Sequence, residues 1–173
     1  LSSVASDSFD FLHSSHCLEH MRDPFEALPN WIRVVKPGGY LVVTIPDEDM
    51  YEQGVFPSRF NPDHKWTFSI HKSTTGSWSK NSINVLDLII KLSPQVEVER
   101  IHLVREFFDE DLSGQDQTLT PNAECSIEFV LRKRLAGQIL LTSNNTTAPK
   151  DAENILAVYA GHDIKQGRFD LPM

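Results

Sequence analysis

Cysteine is scarce: the 173 residues hold two, Cys17 and Cys125, far apart and without metal-type spacing. Neither a disulfide framework nor a zinc ribbon can be built from them, and a reducing cytoplasm is the expected location. Basic residues are outnumbered, with 16 Lys and Arg against 24 Asp and Glu and a net charge of −8. A surface that holds a phosphate backbone needs clustered Lys and Arg, so no nucleic-acid partner is expected. No apolar run approaches the roughly 20 residues that span a bilayer, and Leu1-Ser2-Ser3 is not a basic segment followed by an apolar one. No membrane partner is expected either. Only two of the glycines are adjacent, Gly38 and Gly39, and no Gly-x-Gly loop occurs.

What remains is a chain with 40% hydrophobic and 23% charged residues, which has room for one domain and a tail. Phe9-Asp10-Phe11-Leu12 is a short apolar run ending in His13-Ser14-Ser15, as a buried strand with a polar C-terminal edge would. Asp23-Pro24 supplies an N-cap and a first-turn proline, and Phe25, Leu28, Ile32 and Val35 recur at helical spacing. Pro29 predicts a kink or a late start, because it lacks a donor and crowds the preceding turn. Lys36-Pro37-Gly38-Gly39 reads as the helix stop, with a glycine pair suited to a left-handed cap. Tyr40-Leu41-Val42-Val43-Thr44-Ile45 is continuously apolar, the pattern of a strand buried on both faces.

Residues 47 to 81 lack a clean period and predict a long excursion with short elements. Val85, Leu86, Ile89 and Ile90 mark a second helix closed by Ser93-Pro94. Val96 to Val104 and an alternating run through Cys125, Ile127, Phe129 and Leu131 predict two strands that pair as an antiparallel edge. The polar run from Thr142 to Thr147 predicts a linker. The order is strand, helix, strand, long loop, helix, strand, strand, an α/β arrangement.

The densest polar cluster is His13 to His20, just beyond a strand end where open α/β sheets keep their ligand crevice. His16-Cys17-Leu18-Glu19-His20 also matches the H-x-x-E-H zinc-peptidase pattern. That pattern must lie within a helix, whereas here it follows a strand edge, so no metal site is expected.

The run Ser8-Phe9-Asp10-Phe11-Leu12-His13-Ser14-Ser15-His16-Cys17-Leu18-Glu19-His20 with Asp23-Pro24 resembles the fourth-strand segment of class I S-adenosylmethionine-dependent methyltransferases. Trp31 to Pro46, with its Arg33-Val34-Val35-Lys36-Pro37-Gly38-Gly39 turn, is similar to the family's next helix and fifth strand. The resemblance implies the C-terminal half of a Rossmann-like sheet with an antiparallel final strand pair, over residues 1–134, followed by a linker and tail over 135–173. It implies S-adenosylmethionine as cofactor, with Ser14, Ser15 and His16 facing its methionine end. His20 and His64 are then the candidate catalytic bases, His16 a further one, since imidazole can take a proton from an acceptor hydroxyl. Tyr51, Lys65 and Trp66 are the candidate substrate-binding residues, in an acceptor-side loop read either as a mobile lid or as an anchored satellite cluster.

The function so implied is methyl transfer to a small-molecule or saccharide-type acceptor. The alternative is a degenerate, non-catalytic methyltransferase-like module. A chain that opens on Leu1 is expected to be part of a longer one, because the family's glycine-rich loop and ribose-binding acid precede the matched segment. Its first strand would then present an unpaired edge, so the fragment is expected either to be poorly stable or to associate, as in a homo-oligomer, unless another chain covers that side. Calorimetric titration of S-adenosylmethionine into these 173 residues is accordingly expected to show weak binding or none. Tight one-to-one binding would overturn the half-domain expectation.

Overall fold

The computed structural model describes residues 3–119, 123–135 and 137, all within one compact unit, Leu1–Gln138. Apart from residues 135 and 137, the expected linker and tail lie outside the described residues.

The first strand, β1 (Phe9–Ser15), leads through a 3-10 turn at Leu18–His20 into helix α1 (Pro24–Val34). Asp23 caps that helix, its Oδ1 accepting from the Phe25 and Glu26 amides at 2.8 and 3.3 Å. The helix runs through Pro29 rather than starting after it. It ends not at the glycine pair but at Val35, already extended at φ −76° and ψ 136°, and β2 (Val35–Pro46) begins there. The glycines therefore lie inside a strand, where they answer a different need.

Gly38 takes a positive φ of 82°, and a Cβ on Gly39 would lie 2.6 Å from the Asp10 carbonyl oxygen. That close approach is where β1 crosses onto β2, at a register irregularity between Phe9 and Phe11. From there the two strands run parallel, Phe11 opposite Tyr40 through Ser15 opposite Thr44. Beyond β2 come two short parallel strands, β3 (Thr67–Ser69) and β4 (Ser82–Asn84), then helix α2 (Val85–Ile90). The last two strands are β5 (Val96–Val104) and β6 (Ser126–Lys133). The main sheet has the order β1-β2-β6-β5, parallel between β1 and β2 and antiparallel across the other two pairs. The expected antiparallel pair is thus present, with β6 between β2 and β5.

Leu41, Val43 and Ile45 of β2 sit opposite Leu131, Phe129 and Ile127 of β6, and all six are fully buried. Leu28, Trp31 and Ile32 of α1 join them in one cluster with Val85, Leu88 and Ile89 of α2. Each fully buried side chain of this size contributes about 1.5–3 kcal/mol of transfer free energy. The expectation that Tyr40–Ile45 is buried on both faces is corrected. The opposite face carries Phe11, 58% exposed, and Tyr40, 40% exposed, with Val42 and Thr44 half-buried. Apolar continuity along β2 reflects strand propensity at Val42 and Thr44 as much as burial. In α2 the buried face is Val85, Leu88 and Ile89, whereas Leu86 and Ile90 point outward at 43% and 65% exposure.

The Gly39 contact yields a direct test. Gly39→Ala should destabilise the fold by about 1–3 kcal/mol, the usual range for overpacking against a backbone that cannot give way. Denaturant unfolding measures this, and an unchanged midpoint would show that β1 yields at Asp10.

Candidate active site

The parallel β1–β2 pair brings two chain turns side by side at its C-terminal end. On the β1 side, the His16 amide still donates to the Thr44 carbonyl at 2.9 Å, prolonging the ladder, while His16 itself bends to φ +48°. A bulky residue held in the left-handed region stores strain of order 1 kcal/mol, of a kind that collects at functional sites. Leu18, fully buried, then anchors the 3-10 turn and so fixes its neighbours Glu19 and His20. On the β2 side, Asp47 accepts from the Asp49 and Met50 amides at 3.0 and 3.1 Å and caps the turn Glu48–Glu52. That turn delivers Tyr51 and Glu52.

A third segment closes over both. The Lys65 amide donates to the Glu19 carbonyl at 2.9 Å, Lys65 Nζ to the His20 carbonyl at 2.9 Å, and Trp66 Nε1 to the Met21 carbonyl at 3.1 Å. Trp66 also packs against the core cluster. Of the two readings of the Asp63–Phe68 loop, the described contacts are those of an anchored strap rather than a free lid. Lys65 and Trp66 hold the strap down, and His64 between them is thereby aimed inward.

The result is a centre of five buried or half-buried ionisable side chains, Glu19, His20, Tyr51, Glu52 and His64. His64 Nδ1 lies 2.6 Å from Glu52 Oε1, both side chains almost wholly buried. His20 Nδ1 lies 3.0 Å from Asp63 Oδ2, and its Nε2 is 3.7 Å from Glu19 Oε1. The two imidazoles meet edge to face with centroids 4.9 Å apart, and Tyr51 lies 5.3 Å from His64. Glu19 is fully buried, yet neither of its carboxylate oxygens has a hydrogen-bond partner among the described residues. Burial raises the Glu19 carboxyl above the usual carboxylate range and pushes the Tyr51 phenol up to about 12, so Tyr51 stays protonated. Burial lowers His16. The Cys125 thiol, pushed up to about 11 by burial, is no nucleophile at neutral pH.

A cleft of about 330 Å³ opens on this centre, lined by His16, Glu19, His20, Tyr51 and His64 among others. A separate cleft of about 510 Å³, lined by Asp47 and Asp49 among others, includes none of these residues. Sequence reasoning placed His16, His20, His64 and Tyr51 in the site, and the fold brings all four to one cleft. Ser14 and Ser15 stay on β1, Ser14 buried with an unpartnered Oγ and Ser15 exposed. Glu19 and Glu52 were missed as site residues. Glu19 stood within the quoted cluster, while Glu52 carries no sequence signal, because only the fold sets it against His64.

A family model described as a methyltransferase domain matches residues 2–85. The matched segment, just under half of the chain, is the one that resembles the class I S-adenosylmethionine-dependent methyltransferases. S-adenosylmethionine is that family's cofactor. Among solved structures, the chain is similar to a methyltransferase from Thermotoga maritima described as a possible histamine N-methyltransferase, at 24% identity and TM-score 0.43, covering 76% of this chain and 59% of that one. A Methanosarcina mazei methyltransferase gives 18% identity and TM-score 0.46, covering 77% and 63%. One from Mesorhizobium loti gives 13% and 0.44, covering 75% and 64%. The chain thus spans about three fifths of the length of these structures. No match is found among curated proteins. Among the described residues no helix is long and apolar enough to cross a membrane.

The strap makes its own prediction. Trp66→Ala should lower stability by of order 2 kcal/mol, since it removes a half-buried indole and its hydrogen bond to Met21. Thermal unfolding checks this, and an unaltered melting temperature would return the segment to the lid reading.

Proposed function

We propose that the protein carries a methyl group from S-adenosylmethionine to an oxygen of a small-molecule or saccharide-type acceptor, with His64 as the proton acceptor. The observation that carries this reading is the 2.6 Å contact between His64 Nδ1 and Glu52 at the C-terminal end of the parallel strands. A carboxylate that accepts from Nδ1 fixes the ring and leaves Nε2 as the lone-pair nitrogen, the arrangement that general bases use.

The strand end fits the methionine part of the cofactor. Ser14 Oγ is buried there without a partner, and His16 turns away with left-handed backbone, freeing the strand edge. Ser14, Ser15 and His16 would hold that part. When bound, the cofactor supplies an electrophilic methyl on a sulfonium. The chain's own residues then have three tasks. His64 would take the proton of the acceptor hydroxyl at Nε2. His20, edge-on to His64 and fixed by Asp63, provides a second imidazole for the same proton. Tyr51 and the strap wall the cleft, keeping nucleophile and methyl in line and limiting competition by water. Lys65 and Trp66 serve the acceptor by positioning His64.

His64→Asn should lower methyl transfer by about 10²–10⁴-fold, the range for loss of a general base. Glu52→Gln should lower it by about tenfold or more, because the ring loses its orienting carboxylate. Cofactor affinity should change little in either, whereas His16→Ala should weaken cofactor binding or turnover. Release of S-adenosylhomocysteine from a panel of hydroxylated acceptors provides the assay, run on a longer chain that also carries the family's glycine-rich loop. Cofactor binding with no turnover on any acceptor would instead favour the non-catalytic module.

A further inference from the structure

We propose that Glu19, His20 and His64 form a binding site for a divalent transition-metal ion, of the open kind in which three protein ligands leave a coordination position facing the cleft. One side-chain atom from each of the three lies within 4.8 Å of the others. The set of two imidazoles and one carboxylate is a donor combination that suits zinc, manganese or iron(II) and does not suit magnesium or calcium, which favour all-oxygen shells.

Each imidazole is prepared for this in the same way. His64 Nδ1 is tied to Glu52 Oε1 at 2.6 Å and His20 Nδ1 to Asp63 Oδ2 at 3.0 Å. Both rings therefore have Nε2 left to ligate, with a carboxylate behind to fix orientation and raise basicity, as metal-bound histidines almost always have. His20 Nε2 stands 3.7 Å from Glu19 Oε1. Ligand atoms bound tetrahedrally at about 2.1 Å lie about 3.4 Å apart, so this pair needs to close by only a few tenths of an ångström.

The independent pointer to a cation is Glu19 itself. It is fully buried, and both carboxylate oxygens lack a hydrogen-bond partner among the described residues. A buried carboxylate in that condition is strongly unfavourable, and the usual remedies are a paired charge or a metal. The neighbouring buried Glu48 shows the ordinary remedy, accepting from Thr67 Oγ1, Ser77 Oγ and Lys72 Nζ at 2.9, 2.7 and 3.3 Å. Glu19 has no such donors and is flanked instead by imidazoles.

The grouping is not that of a zinc-peptidase motif. His16 leaves its strand in left-handed conformation and its side chain is half-exposed, with Nδ1 3.8 Å from Glu19 Oε1. The third ligand is His64, 44 residues further along the chain, brought in by the strap. The site builds on the reading given under Proposed function and rests on it only for the cation's use. A ring that ligates through Nε2 has no lone pair left for a proton, so with a cation bound the imidazole base of that reading is replaced: the cation would acidify the acceptor hydroxyl as an oxygen ligand, and the proton would pass to solvent.

The test is metal binding read without cofactor or acceptor, so that a failed methyl-transfer assay leaves it intact. Zn²⁺ and Mn²⁺ are titrated into chelator-treated protein in competition with a chromophoric chelator, with Mg²⁺ in parallel. One equivalent of Zn²⁺ should bind, more tightly than Mn²⁺ and far more tightly than Mg²⁺. Glu19→Gln and His64→Asn should each weaken Zn²⁺ by at least 100-fold, and Glu52→Gln by about 10–100-fold. His71→Ala, at an exposed histidine outside the centre, should change nothing. Zn²⁺ should raise the melting temperature of the unaltered protein and not that of the Glu19 variant. Should a variant fail to fold, the visible spectrum of the Co²⁺-loaded unaltered protein decides, since bound imidazole and carboxylate give d–d bands distinct from hydrated Co²⁺. No stoichiometric binding, a hydrated spectrum, or affinity indifferent to Glu19 and His64 would each overturn the proposal.

Discussion

The close approach of β2 to β1 at Gly39 is the constraint on which the rest depends. With a hydrogen atom in place of a side chain, the backbone passes near the Asp10 carbonyl and the parallel ladder can run from Phe11 to Ser15. Parallel pairing puts both strand ends at the same edge, so the turn holding Glu19 and His20 and the turn holding Tyr51 and Glu52 lie next to one another. A one-residue slip would send every inward residue of β2 to the other face and separate those turns. The packing of Leu41, Val43 and Ile45 against β6 holds that register.

Charge burial is the other organising feature. Three glutamates, Glu19, Glu48 and Glu52, are almost completely buried within a 34-residue stretch, and each has a different answer to its desolvation. Glu48 gathers hydroxyls and a lysine and stitches the loop before α2 to the end of β2. Glu52 is half-satisfied, with one oxygen on His64 and the other without a partner among the described residues. Glu19 is satisfied on neither oxygen. Stability alone would select against such a gradient, because a buried polar atom without a partner costs about 1–3 kcal/mol. Its coincidence with strained His16 and with two oriented imidazoles is what singles the cleft out as the candidate site.

The strap from Asp63 to Trp66 links the two features. The hydrogen bonds donated by Lys65 and Trp66 go to the carbonyls of Glu19, His20 and Met21, so these two residues hold the turn by its backbone. His64 is held in the centre by residues on both sides of it that face elsewhere. An aromatic, basic loop after a strand reads as an acceptor-side surface, yet here aromatic and base alike are used to fix the position of one imidazole.

The sequence by itself determined the element order, the parallel-then-antiparallel plan and the family resemblance, because these rest on local signals: Asp23-Pro24 as a helix start, the Pro37-Gly38-Gly39 segment, and the alternation through Ile127, Phe129 and Leu131. It also placed His16 and His20 among the candidates by the crevice rule for polar residues at a strand end, and His64 and Tyr51 through the acceptor-side loop that the resemblance implies. Where local signals were ambiguous they pointed to the wrong cause: the glycine pair permits a backbone crossing rather than a helix cap, and the apolar run of β2 has only one buried face. Only the tertiary structure decided that Glu52 stands behind His64 and that Glu19 is left without a partner. Both depend on three segments far apart in the chain meeting at one strand edge, and no periodicity within a segment records which other segment will cover it.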